Sequence, residues 1–369
     1  MYFKRSISIV IILLFLSILT AQLNAQVVAV PFLLNSPDAR TGAMADAGVA
    51  LSPDANSLSN NPSKLPFLEQ AYGFSVSYNP WLKNLVSAIN LGYLSAFYRV
   101  SDRSTIGASI RYFSLGDVQM VDANQQNIGL YSPNEFAIDA TYARKYGNSF
   151  SLATSIRYIQ SNMASGQFIS GKEIKAGTAL AVDIAAYYKK ETNLLGTEAI
   201  FALGATISNI GTKLSYMEGM PAYFLPANIK LGAATTFLME EHSQISLALD
   251  VNKLLVPGST SLLNAGEDIS VPAGVFGSLI DAPGGFKEEM KEINLGTGLE
   301  YFYKQQFALR GGYYYAHPQN GNKSYFTAGA GFKSDIWGLD IAYLMTNQDK
   351  SPLANSLRLT LLFHFNSNY

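Results

Sequence analysis

The three histidines are the residues of this chain best suited to acid–base or metal chemistry near neutral pH. His242 falls in a predicted turn, His317 in a predicted loop, and His364 near the end of the last predicted strand. A catalytic triad or a zinc site needs its side chains within a few ångströms of one another. Because these histidines do not converge in the predicted strand order, we expect neither a triad nor a metal site.

Carboxylates and glycines give no stronger signal of catalysis. Asp and Glu are scattered singly, which a solvated lumen explains better than a catalytic carboxylate pair. The pairs Gly296/Gly298 and Gly329/Gly331 lie inside predicted strands with no helix following, so a nucleotide-binding turn is not expected. The absence of Cys excludes thiolate chemistry, and a net charge of −1 gives no basis for binding nucleic acid. The sequence therefore predicts no catalytic residue, no cofactor and no enzyme.

The composition is typical of strands that cross an outer membrane. Charged residues make up 14% of the chain, against roughly 25% in soluble proteins. Aromatic residues make up 12%, nearly all Tyr and Phe, as expected for two aromatic girdles at the membrane interfaces.

The first residues have the three parts of an export signal. Lys4 and Arg5 precede an apolar run over 9–19, and Ala25 is a small residue suited to the last position before cleavage. The run is shorter than the roughly 20 residues of a spanning helix, although a retained membrane anchor is the alternative. We expect residues 1–25 to be a cleaved signal peptide.

Residues 26–70 do not alternate between apolar and polar positions. Small residues, Asp, Asn and Pro dominate this segment, and Asp54 is suited to cap a short helix over 55–58. Such a segment cannot face lipid. It either lies in the periplasm or plugs the lumen of the barrel.

From 71 to 369 the pattern changes to alternation with a period of two. Ile110 and Ile156 belong to an apolar face, whereas their neighbours Arg111 and Arg157 belong to a small, polar or charged face. A soluble β-sandwich or secreted barrel also alternates, but these strands outrun the usual five or six residues. The pattern indicates an all-β fold, a transmembrane antiparallel β-barrel with lipid outside and a wet lumen inside.

About fourteen strands are predicted, and the links between them alternate in length. Short links suit the periplasmic end and long ones the extracellular end, so a periplasmic N-terminus would send the first strand outward. The predicted strands are 71–79, 85–99, 104–117, 134–146, 148–162, 176–190, 198–210, 226–238, 243–255, 292–304, 306–316, 323–333, 335–346 and 353–366.

The longest predicted loop, 256–291, is the first candidate for binding a partner. A loop of this length in a compact fold is usually functional or disordered, and its apolar content argues against disorder. Folding inward to close the pore is the alternative. The candidate contact residues are Val271, Val275, Phe276, Leu279 and Ile280.

The opening segment also resembles a known group of proteins. Residues 42–50, which include Asp46 and Gly48, and the triplet Asn60-Asn61-Pro62 resemble the N-terminal signature of FadL-type outer-membrane transporters. Residues 36–40, 52–55, 60–65, 78–82 and 91–93 are similar to the PorV (LptO) family of the type IX secretion system. The resemblance covers the whole mature chain, and its most specific part is 36–94.

A PorV-like protein implies a FadL-like barrel in the outer membrane of a Gram-negative bacterium of the Bacteroidetes type. The resemblance implies that it receives cargo with a C-terminal sorting domain at an SprA-type translocon. It would then pass that cargo to a surface attachment complex containing a PorU-type sortase.

The alternative function is a FadL-type transporter of hydrophobic small molecules, which needs an apolar pocket in the lumen. The readable inward positions are mostly small or polar, which favours the secretion component. A lipid-modifying enzyme ranks third, since no nucleophile–base pair is apparent.

Overall fold

The computed structural model describes residues 26–80, 89–121, 127–169, 172–219, 221–258, 269–282, 284–318, 320, 324–346 and 356–366. The predicted signal peptide 1–25 lies outside the described residues, as do the predicted strand residues 85–88, 353–355 and 323. Among the described residues, no helix has the length and apolar character needed to cross a bilayer.

Strands dominate the chain, as the alternation predicts. They are β1 Tyr72–Pro80, β2 Ile89–Ser101, β3 Ser104–Leu115, β4 Val118–Val121, β5 Asn127–Tyr131, β6 Asn134–Tyr146, β7 Phe150–Asn162, β8 Phe168–Ile169, β9 Lys172–Glu173, β10 Gly177–Leu194, β11 Thr197–Gly211, β12 Asn228–Leu238, β13 Gln244–Leu254, β14 Asn294–Tyr303, β15 Phe307–Tyr315, β16 Tyr325–Lys333, β17 Trp337–Thr346 and β18 Leu357–Phe365.

Fourteen of these strands form one closed antiparallel barrel, in the order β1-β18-β17-β16-β15-β14-β13-β12-β11-β10-β7-β6-β3-β2. The ring closes where β1 pairs with β18, with Val76 opposite Leu361. The predicted strand number is confirmed. Within the described residues, the boundaries differ most at β10, which continues four residues beyond the predicted end at 190. Two small hairpins, β4–β5 and β8–β9, lie in loops where no strand was predicted.

The two faces of the wall have the predicted phase. Ile110 is 43% exposed and Ile156 is 61% exposed, whereas Arg111 and Arg157 are each 3% exposed. Because side chains alternate along a strand, the isoleucines face lipid and the arginines face the lumen. Aromatic side chains border the lipid face, as in the stacked pair of Phe74 and Phe363, whose ring centroids are 4.8 Å apart.

The links define two different ends of the barrel. At the short-turn end, β10 and β11 are joined only by Leu195 and Gly196, and β14 and β15 by residues 304–306. At the long-loop end lie 116–133, 163–176, 212–227 and 255–293. In an outer-membrane barrel these ends face the periplasm and the cell exterior, respectively.

Short helices lie in the lumen, in the turn between β12 and β13, and in the long loop between β13 and β14. They are α1 Ala39–Ala43, α2 Ser57–Asn60, α3 Val271–Gly277 and α4 Phe286–Glu289, with 3-10 helices at Pro31–Leu34, Pro62–Phe67, Glu240–His242 and Met290–Glu292. Helix α2 begins two residues later than the predicted helix at 55–58. Asp54 accepts a hydrogen bond from the Asn56 backbone N–H at 2.8 Å, so its carboxylate stabilises the turn before α2.

Residues 26–70 run inside the ring from one end to the other. The Gln26 side chain donates to the Val256 carbonyl at 2.8 Å, at the long-loop end. Residue Ala71 donates to the Phe365 carbonyl at 3.0 Å, at the short-turn end. The expectation of a periplasmic N-terminus is therefore wrong for Gln26, because the segment first descends the lumen before β1 returns outward.

Candidate functional site

Residues 26–70, called the lumen segment, are held by buried polar contacts. The residues of this segment that resemble the FadL-type signature make many of these contacts. The backbone N–H groups of Gly48 and Val49 both donate to the Asp250 carboxylate, at 2.8 and 2.9 Å. The Lys64 ammonium donates to the Gly48 carbonyl at 2.7 Å. A Cβ at Gly48 would lie 2.6 Å from Thr41 Cγ2, so the tight approach requires glycine.

Asp46 contacts the opposite wall. Its carboxylate accepts from the Tyr325 hydroxyl at 2.9 Å and from the Arg358 guanidinium at 3.2 Å. The same guanidinium donates to the Ser36 carbonyl at 3.0 Å. Asp46 therefore fixes the turn after α1 against β16 and β18.

The Asn-Asn-Pro triplet organises the lower half of the segment. Asn60 donates to the Thr41 hydroxyl at 2.8 Å. Asn61 donates to the carbonyls of Val49 and Ala186, at 2.9 and 3.0 Å. Pro62 opens the 3-10 helix, where its missing N–H is not needed. The structure therefore gives Asp46, Gly48, Asn60, Asn61 and Pro62 a common place within the lumen.

A charge cluster joins α1 to strands β14, β15 and β17. Arg40 donates to the two oxygens of Glu300 at 3.0 and 2.8 Å, and Arg310 donates to the same carboxylate at 2.6 Å. Arg310 also contacts Asp340 at 2.5 Å, and Arg40 contacts Asp54 at 3.0 Å. All five groups are largely buried. We call this set the lumen latch.

Above the latch, the inward side chains become apolar. Leu91, Phe113 and Ile159 line the lumen near the long-loop end, and Phe32 stacks on Phe113 with ring centroids 5.8 Å apart. Phe32 is 1% exposed. The expectation of a mostly small and polar lumen is correct for the lower part and wrong here. The chain's own Ala29, Val30, Phe32 and Leu33 fill this apolar chamber.

Backbone strain accompanies the filling of the chamber. Val30 has φ 47 and ψ 51, a left-handed conformation that β-branched residues rarely adopt. Two hydrogen bonds hold the strained segment: the Ala29 backbone N–H donates to the Phe224 carbonyl at 2.9 Å, and the Arg111 guanidinium donates to the Leu33 carbonyl at 3.2 Å.

The loop at 255–293 divides the predicted contact residues into two groups. Val275 is buried and packs with Val271 against Ile207 and Ile229 of the wall. Phe276 is 73% exposed and Ile280 is 84% exposed, with Leu279 also exposed. Of the candidate contact residues, Val275 is therefore buried and Val271 partly buried, and both anchor α3.

An ionic contact holds the second half of the loop. The Lys253 ammonium lies 2.8 Å from Glu289 and 2.5 Å from Glu292. Burial raises the pKa of the Glu292 carboxyl, and the Lys253 ammonium opposes this rise. Asp281, Glu289 and Glu292 bring carboxylate oxygens within 4.8 Å of one another. The sequence missed this group because its members converge only through the fold of the loop.

Two cavities open at the short-turn end. One, of about 340 Å³, is lined by the latch together with Lys333 and His364. The other, of about 460 Å³, is lined by Phe67, Lys145 and Lys189. His242 lies in the turn before β13 at this end, whereas His317 follows β15 at the opposite end. The three histidines are therefore split between the ends, as the sequence predicts.

Comparison with known proteins agrees with this architecture. The Ralstonia pickettii toluene transporter TbuX is 12% identical, with a TM-score of 0.51 over 90% of this chain and 100% of that one. The Pseudomonas putida toluene transporter TodX is 11% identical, with a TM-score of 0.54 over 89% and 97%. These likenesses concern the fold. No curated protein matches the sequence.

A family model supplies the identity that fold similarity does not. The model described as type IX secretion system protein PorV matches residues 19–261. The match includes the whole lumen segment and strands β1 to β13, and it ends before α3. The family match and the closed antiparallel barrel together place this chain in a Gram-negative outer membrane. The chain belongs to the PorV family of the type IX secretion system.

Proposed function

We propose that this barrel binds secreted cargo, through its C-terminal sorting domain, at an SprA-type translocon and delivers it to a surface attachment complex containing a PorU-type sortase. The observation that carries the proposal is the filled lumen. Phe32 and its neighbours occupy the apolar chamber, and the latch ties the same segment to the wall. A barrel closed in this way acts through its outer surface rather than as a conduit, and by contacts rather than catalysis.

The exposed part of the long loop is the proposed contact surface. Phe276, Leu279 and Ile280 face solvent beside the anchored Val275. Burying apolar area yields about 25 cal/mol per Å². Because α3 is already packed on the wall, little ordering entropy offsets that gain. The surface suits an apolar segment of the translocon or the cargo.

The test is a triple variant, Phe276→Ser, Leu279→Ser and Ile280→Ser, which leaves Val271 and Val275 in place. We expect a folded, heat-modifiable barrel in the outer membrane, with cargo secretion or surface attachment blocked. Leu130→Ser in β5 is the matched control, since Leu130 is 72% exposed at the same end, and it should secrete normally. Normal secretion by the triple variant would remove this loop from the mechanism.

The second candidate is a transporter of hydrophobic small molecules. The apolar lining around Leu91 and Phe113 supports it, because such a transporter needs an apolar chamber. It requires residues 29–33 to leave that chamber. A strain lacking the protein would then lose uptake of hydrophobic compounds while secretion stayed intact.

A further inference from the structure

Strand β10 extends beyond its neighbour β7 at the short-turn end. Its pairing with β7 ends at Tyr188 opposite Phe150, but its pairing with β11 continues to Leu194 opposite Thr197. On the other side of the hairpin, β11 is paired with β12 from Ala199 onward, and Ala199 lies opposite Thr192 of β10. The end of the β10–β11 hairpin therefore has one free edge, that of β10, at the periplasmic end of the barrel.

The free edge offers unpaired backbone groups. The last hydrogen bond on that side runs from the Lys189 N–H to the Ser149 carbonyl at 2.8 Å. Because every second residue of an antiparallel strand points its backbone groups to the same side, Glu191 and Asn193 present theirs to solvent. An exposed edge of this kind pairs readily with another strand unless it is blocked.

Leu195, at the tip of the hairpin, is unusual both in its exposure and in its backbone conformation. Leu195 is 97% exposed and has φ 54, and Gly196 follows with φ 80. A two-residue turn with both φ angles positive prefers Asn-Gly or Asp-Gly. The turn between β14 and β15 also has positive φ angles, but it uses the polar residues Lys304 and Gln305. A strained leucine in water gains nothing inside the chain, which points to a contact outside it.

The charged side chains of the cavity beside the hairpin indicate which charge a binding partner should carry. The ammonium groups of Lys145 and Lys189 lie 5.5 and 5.0 Å from the centre of the Phe67 ring. Within the part of the chain that the structure describes, neither ammonium has a carboxylate at ion-pair distance. The cavity of about 460 Å³ is also lined by Asn148 of the turn next to the free edge, by Glu69 and by the ion pair of Arg99 with Asp102. The two lysines outweigh the single carboxylate of Glu69, so the cavity is net positive and favours an anionic occupant.

We propose that the β10–β11 hairpin docks a periplasmic protein, which adds an extended acidic segment to the free edge of β10. The segment pairs with the backbone of Glu191 and Asn193. Its carboxylates approach Lys189 and Lys145, and an apolar pocket of the partner covers Leu195. This strand addition is a known way for sheet edges to bind peptides, and it is independent of the outer loop.

The test is site-specific photo-crosslinking in intact cells, with a benzophenone side chain placed at position 195 and, as the matched turn control, at position 304. We expect one defined protein adduct from position 195 and none from position 304. Position 193 should give the same adduct. Equal adducts at both turns, no adduct at 195, or an adduct to lipid would overturn the proposal.

Three variants connect the adduct from position 193 to the docking geometry. Glu191→Pro removes an edge N–H without touching the ladder to β11 and should weaken the adduct several-fold. Lys189→Glu should weaken it through charge. Leu195→Asn supplies the preferred turn dipeptide, so the barrel should melt no lower than the wild type while the adduct is lost. An adduct unchanged in all three variants would also overturn the proposal. The proposed function is tested separately, by cargo attachment in the outer-loop variant.

Discussion

The lumen latch predicts a large effect from one buried carboxylate. Glu300 accepts three bonds of 3.0, 2.8 and 2.6 Å from Arg40 and Arg310. Glu300→Gln keeps the side-chain shape but leaves two buried guanidinium groups with less countercharge. Breaking a buried ion pair on one side costs about 3–5 kcal/mol, and we expect a loss in that range. Part of this loss will come from release of the lumen segment, since the ion pair of Arg40 with Glu300 joins α1 to β14.

Two assays measure this loss. Urea unfolding in detergent, followed by the heat-modifiable gel shift, reports barrel stability. Conductance in a planar bilayer reports release of the segment, and we expect brief openings that the wild type lacks. The control is Glu241→Gln, because Glu241 pairs with Lys304 on the surface at 3.1 Å and should change neither reading. If Glu300→Gln unfolds at the same urea concentration as Glu241→Gln and stays closed, the latch does not hold the lumen segment.

The remaining predictions concern the chamber, the wall and the segment itself. Phe32→Ala should lower barrel stability by about 3–5 kcal/mol in urea, because Phe32 is fully enclosed by the apolar chamber. Ile110→Arg places a charge on the lipid face, worth about 2–4 kcal/mol at the midplane. It should reduce assembled barrel in membrane fractions more than Arg111→Ala does, since Arg111 takes part in no ion pair among the described residues. Equal yields would show that the strand phase is wrong. Gly48→Ala should lower the melting temperature, since its Cβ meets Thr41 at 2.6 Å. Deleting residues 36–64 should open a steady conductance, and an unchanged trace from a folded barrel would contradict the placement of the segment in the lumen.

The sequence alone determined the wall. Alternation with a period of two is set by strand geometry, so Ile110 and Arg111 had to face opposite sides once the strand formed. Lipid on one side and water on the other then fixed which face was apolar. The number of strands and the alternation of short and long links followed from the same local signals.

Tertiary structure decided how the long loop packs on the barrel wall and what fills the lumen. The burial of Val275 and the exposure of Phe276 depend on how α3 meets Ile207 and Ile229, and those residues are far apart in the chain. The contact of Gly48 with Asp250 spans 202 positions. Neither has a periodic signature in the sequence, because non-local packing follows from the closed ring. The lumen is a shared space that forms only when β1 meets β18, so the path of residues 26–70 through it could not be read from those residues by themselves.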